Sequence, residues 1–121
     1  MTVHPFTSRA DVHAGAARVT LVGELDLDAA PYVRDAVAAC LVKRPTSLDL
    51  DLTGVSFCDC AGLNSLLVAR NAVLWAGVGL RIEGVGEQLS RLLALIGAES
   101  LFLGETAPAA AAESPLRDLL A

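Results

Sequence analysis

Aromatic residues are scarce in this chain. One Trp, one Tyr and three Phe make up 4% of its 121 residues, so the 54% that is hydrophobic is mostly aliphatic, and the core is expected to be built from Val, Leu, Ile and Ala. Cations are outnumbered, nine Lys and Arg against 14 Asp and Glu, and a net charge of −5 argues against a nucleic acid or an anionic membrane surface as partner. No apolar run approaches the roughly 20 residues of a membrane span, so no membrane insertion is expected. The opening residues MTVHPFTSRADVH lack the cationic start and apolar block of a signal peptide. Three cysteines, an odd number without export signals, read as reduced thiols in a cytoplasmic protein. A Ser/His/Asp set, a phosphate-cradling glycine loop and paired catalytic acids are all missing, so neither an enzyme nor a catalytic residue is expected. Cys58 and Cys60 form a Cys-x-Cys pair that no further Cys or His completes into a tetrahedral set, so neither a metal nor a cofactor is expected.

What is present is an alternation of two periods. A chain of 121 residues is one domain with one core. Residues 6–12 and 17–23 alternate as strands, and the short Ala14-Gly15-Ala16 link makes them an antiparallel hairpin. After the acidic Glu24 to Asp28, a helix is expected with Asp28 as N-cap, Pro31 in its first turn, and Val33, Val37, Cys40 and Leu41 on its buried stripe; it ends near Pro45. Leu48, Leu50 and Leu52 alternate with Asp49, Asp51 and Thr53, a strand that Thr53-Gly54 is expected to break. Gly79 to Gly84 is a further strand with one wet face. Glu87 opens a last amphipathic helix, with Leu89, Leu92, Leu93 and Ile96 at spacings of three and four and Gly97 as C-cap. Leu101 to Leu103 reads as a short final strand or an apolar plug. The fold class is α/β, in the order β-β-α-β-α-β-α-β, with a mixed sheet and helices mainly on one face. Residues 1–104 form the domain and 105–121 an Ala- and Pro-rich tail, with a short terminal helix over 115–120.

The stretch from Leu48 to Asn64 hands a strand to a helix through a tight loop. The helical repeat starts at Leu63, with Leu66, Leu67 and Leu74 following, and the first N–H groups of such a helix have no partners within it. Asp59 is placed to cap them, which puts Cys60 at the first helical position. Cys58 and Cys40 read as small core residues. Arg70 falls within the apolar arc of the helix and is expected to snorkel to its edge; Trp75, on the opposite arc, is expected to be half exposed and to extend any partner surface there.

Three blocks of the sequence resemble the STAS domain family, and within it the bacterial anti-sigma factor antagonists. They are GELDLDAAP at 23–31, LDLTGVSFCDCAGL at 50–63 and LSRLLALIGAESLF at 89–102. The second resembles the family's strand and loop that end in Asp-Ser-Ser/Thr-Gly. The resemblance implies a protein-binding module used in partner switching and the regulation of transcription. Its partner would be an anti-sigma factor with a histidine-kinase-like ATPase fold, which binds the unphosphorylated antagonist and is released when the loop serine is phosphorylated. Carried over residue by residue, the docking face comprises Asp26, Asp59, Cys60, Ala61, Gly62 and Asn64. The phosphoserine position falls on Cys60 and the next hydroxyl position on Ala61, so neither accepts phosphate, while the uncharged thiol mimics the dephosphorylated state. Two other readings stay open. One is a redox-responsive module in which Cys58 and Cys60 oxidise. The other is a STAS subunit of a transporter or stress complex.

Overall fold

The computed structural model describes residues 6–103. A tail at 105–121 and its short helix lie outside the described residues. Two strands open the fold, β1 (Thr7–His13) and β2 (Ala16–Leu25), paired antiparallel from Thr7↔Val22 to His13↔Ala16. Ala14 and Gly15 join them at positive φ, 52° and 83°, the sign that a two-residue type I′ hairpin loop requires at both positions. The chain continues through α1 (Ala30–Leu41), β3 (Ser47–Cys58), α2 (Cys60–Trp75), β4 (Gly79–Glu83), α3 (Glu87–Ile96) and α4 (Glu99–Leu103). The sheet has the order β1-β2-β3-β4, with β2, β3 and β4 parallel and helical crossovers between them.

Alternation along the strands decides which face the helices cover. Ala17, Val19, Leu21 and Leu25 of β2, Leu48, Leu50 and Leu52 of β3 and Leu80 of β4 are buried in one core with Val33 and Val37 of α1, Leu63, Leu66 and Val73 of α2, and Leu89 and Leu93 of α3. The opposite face of the sheet is wet. There Arg18 reaches Asp51 and Glu83 at 2.8 Å each and Asp49 at 3.5 Å, tying β2, β3 and β4 together by charge.

Several sequence-based expectations are corrected. Thr53-Gly54 does not end β3, which runs on to Cys58. The strand instead carries one extra residue against β2 at each of two register shifts, between Thr20 and Val22 and between Gly23 and Glu24, so a bulge absorbs what reads as a break. Asp28 is not the cap of α1: Ala29 holds that position without a side-chain bond, and the Asp26 carboxylate accepts from the Ala29 N–H at 3.1 Å. The final strand is a helical turn. Gly97, at φ 74°, ends α3, Ala98 and Leu101 are joined by a backbone bond of 3.1 Å, and Ala98 and Phe102 are buried one turn apart. Phe102 therefore plugs the core, and the segment does not join the sheet. Finally, Arg70 does not snorkel. It is 2% exposed, its Nε donating to the Leu101 carbonyl at 3.1 Å and its Nη1 to the Asn71 side-chain oxygen at 3.3 Å. The carbonyl end of α4 lies over α2 here and takes the guanidinium, whose pKa burial pushes down. Trp75 is more exposed than the half expected of it, at 78%.

Candidate docking site

The carboxyl ends of β2 and β3 meet the amino end of α2, and every residue of the expected docking face belongs to this junction. Asp59 leaves β3 in extended conformation, φ −97° and ψ −174°, and its side chain accepts from the Gly62 N–H at 2.8 Å. Its own N–H donates to the Leu25 carbonyl at 3.2 Å and its carbonyl accepts from Leu63 at 2.8 Å. Asp59 is thus the cap expected from sequence, and it also ties the loop to the end of β2. Asp26 follows Leu25 directly, so the same bond brings the β2–α1 loop to the start of α2.

Gly62 is buried for a steric reason. A Cβ there would fall inside the Leu25 carbonyl and against the Leu25 side chain. The glycine serves the face by letting α2 approach β2, not by offering surface. Cys60 occupies the first position of α2 and is exposed; Ala61 is half-buried and Asn64, one turn on, is exposed. The side chain of Ser65 is turned inward, its hydroxyl donating to the Gly62 carbonyl at 2.6 Å, whereas Ser56 is exposed on β3.

Cys58 closes the site from beneath. It is fully buried, its thiol donates to the Asp59 carbonyl at 3.4 Å, and burial, with smaller effects from the neighbouring Asp59 and Cys60, leaves its pKa pushed up to about 12. Such a thiol is a poor nucleophile. Its backbone is gripped by a residue that no motif or periodicity marks. The Cys58 N–H donates to Gln88 Oε1 at 2.9 Å, and Gln88 Nε2 donates to the Cys58 carbonyl at 2.8 Å. Gln88 is in the first turn of α3, where helical periodicity identifies the apolar positions and is silent about a half-buried amide.

Beside the loop, α1 and α2 enclose an apolar groove of about 400 Å³, lined among others by Leu27, Arg34, Leu41, Ala61, Asn64 and Val68. Ala61 and Asn64 belong to both the loop face and this groove. Val68 and Trp75 stand exposed further along α2. Chemically, the junction offers carboxylates, a thiol, an amide and an apolar furrow, the ingredients of a contact surface. His13 is at the hairpin, at the other end of the parallel strands. Among the described residues there is no group of three or more His, Cys, Asp or Glu placed to hold a metal, and no helix is long and apolar enough to cross a membrane.

A model of the STAS domain matches residues 8–112. The anti-sigma-F factor antagonist RsfB of Mycobacterium tuberculosis is 29% identical over 90 residues, which cover 74% of this chain and 73% of the relative. The anti-sigma-B factor antagonist of Listeria monocytogenes is 32% identical over 79 residues, 65% of this chain and 69% of the relative. Among solved structures, an anti-sigma factor antagonist from Mycobacterium paratuberculosis aligns with a TM-score of 0.63 at 24% identity, covering 97% of this chain and 98% of its own. SpoIIAA in its unphosphorylated form aligns at 0.66 and 15% identity, covering 94% and 96%, and a sulfate transporter family protein from Wolinella succinogenes at 0.66 and 19%, covering 91% of each chain. At these identities the structures establish the fold.

Proposed function

The chain belongs to the STAS domain family, and on that footing we propose that it is an anti-sigma factor antagonist-like binding module that docks an anti-sigma factor with a histidine-kinase-like ATPase fold. The docking face is the β3–α2 junction at 56–62, expected from sequence as a loop, with Asp26, Asp59, Cys60, Ala61 and Asn64, and it is held in shape by the steric fit of Gly62. The observation that carries this reading is the capped start of α2, where Asp59 bonds the Gly62 N–H at 2.8 Å and Cys60 stands exposed at the first helical position. Support comes from relatives named as anti-sigma factor antagonists.

The reading includes a lost switch. A phosphoserine at that position would add roughly −1.5 to −2 charges to a surface already carrying Asp26 and Asp59. Helix N-termini accommodate anions, so such a charge would act on the partner rather than on the fold. Cys60 and Ala61 have no hydroxyl, so the module stays competent to bind. The burial of Cys58, with its pKa pushed up to about 12, weighs against the redox alternative, because forming a disulfide by exchange begins with a thiolate.

A pull-down from the native cytoplasm tests the docking. Recovery of an ATPase of the histidine-kinase-like fold is expected, and recovery of a transporter in its place would overturn it. Incubated with that ATPase and ATP, the protein is expected to gain no phosphate, while Cys60→Ser gains it at residue 60. Phosphate mapped to Ser56 or Ser65 of the unaltered chain, with release of the partner, would show that the switch had moved.

A further inference from the structure

The β3–β4 ladder ends at Asp51↔Glu83, yet β3 continues to Cys58. Its last residues have β2 on one side, up to Leu25↔Cys58, and no strand among the described residues on the other. Backbone groups left open in this way need partners. The Gln88 carboxamide supplies them at Cys58, one acceptor and one donor at 2.9 and 2.8 Å, as the peptide group of a neighbouring strand would. A second contact brackets the bulged segment. Gly84, at φ 79°, lies so close to Thr53 that a Cβ there would collide with the Thr53 backbone. The connection from β4 to α3 thus lies against β3 at Thr53 and the start of α3 is held to it at Cys58, while Leu89 and Leu93 anchor the helix in the core.

Cys58 immediately precedes Asp59, whose backbone and side chain set the first turn of α2. We propose that Gln88 is a positioning residue for the docking face: by fixing both backbone groups of Cys58 it sets the direction in which β3 delivers Asp59 and Cys60, so that α3 controls the loop's readiness to bind. This rests on the docking reading above and adds a residue that lies 30 positions from the loop. Fixed in advance, the loop loses less freedom when it is bound.

Two variants test it. Gln88→Met keeps length and volume but can neither donate nor accept, and Gln88→Glu keeps the acceptor while placing a second carboxylate oxygen against the Cys58 carbonyl. In either variant, amide hydrogen exchange at Cys58 and Gly62 is expected to quicken by about 10-fold or more with Leu50 in the core unchanged. Affinity for the anti-sigma factor recovered in the pull-down is expected to fall by about 10-fold, and to fall less when Asp59→Ala is already present, because the two residues act through one loop. A folded Gln88→Met with unchanged exchange at Cys58 overturns the proposal, and so does unchanged affinity or strict additivity with Asp59→Ala. If no anti-sigma factor is recovered at all, the docking reading falls separately, and the clamp still stands or falls on the exchange at Cys58.

Discussion

Different substitutions separate the cap that Asp59 forms from the docking role proposed for it. As an N-cap its oxygen accepts from Gly62 at 2.8 Å; on the proposed reading its charge is also offered to a partner. Asparagine caps about as well as aspartate, so Asp59→Asn should keep the melting temperature and lower partner affinity, whereas Asp59→Ala should lower both, at a cost of about 0.5–2 kcal/mol of stability. Thermal melts beside titration calorimetry check this. An Asp59→Asn protein with wild-type affinity would confine the residue to capping. The cysteines divide in a similar way: iodoacetamide should label Cys60 in the folded protein and reach Cys40 and Cys58 only after unfolding, because the first is exposed and the others are buried. Mass spectrometry of the labelled peptides decides it, and rapid labelling of Cys58 would mean that the loop opens. Residues like Asp59 and Cys60 were legible because they stand at a boundary between two sequence periods. Gln88 was not, because its partners are the backbone of a residue remote in sequence.

At the scale of elements, the strands and helices were read from periodicity, and the errors fall where geometry depends on a neighbour. Thr53-Gly54 reads as a break because the glycine is a poor strand former and ends the alternation of leucines, yet β2 alongside holds the pair in a bulge. The turn of α4 is hidden because three apolar residues in a row have no period of their own; the spacing that matters is Ala98 to Phe102. The place of Arg70 is hidden for the same reason, since its acceptor is the Leu101 carbonyl of that turn. Gly62 makes the point most sharply. In sequence it is a glycine in a helical start, where alanine normally stabilises. In the structure its missing Cβ is the space that the Leu25 carbonyl occupies, and backbone cannot swing aside as a side chain can. Gly62→Ala should therefore destabilise by about 1–3 kcal/mol, the range for overpacking, and pull α2 away from β2. A lower urea midpoint with an unchanged slope is expected. An equal or raised midpoint would show that the junction has slack.

Across the whole molecule, charge and burial set opposite ends of one pH profile. On the acid side, Asp51 has its pKa lowered chiefly by the hydrogen bonds from Thr53, with Arg18 contributing less. A lowered carboxyl pKa stabilises above the ordinary value of 3.8, and that stability is lost as the pH falls through the folded value. On the alkaline side the sign is reversed. Cys58 is raised from 9.0 to about 12, mainly by burial, and Cys40 is raised by burial with a smaller push from Asp11. Above the ordinary thiol value the unfolded chain releases these protons and the folded one keeps them. The unfolded state then binds fewer protons, and stability falls as the pH rises from about 9 toward about 12. Salt should distinguish the two limbs. The ion pairs of Arg18 on the open face are part of the acid limb, and exposed charges are screened; the alkaline limb comes from desolvation, which screening leaves alone. Urea midpoints between about pH 8 and pH 10.5 should decline at both low and high salt, and Cys58→Ala should decline less steeply, retaining the share of Cys40. An equal slope in that variant would mean that Cys58 ionises in the folded protein as freely as in the unfolded one, and the thiol beneath the docking loop would then be open to the oxidative chemistry that its burial opposes.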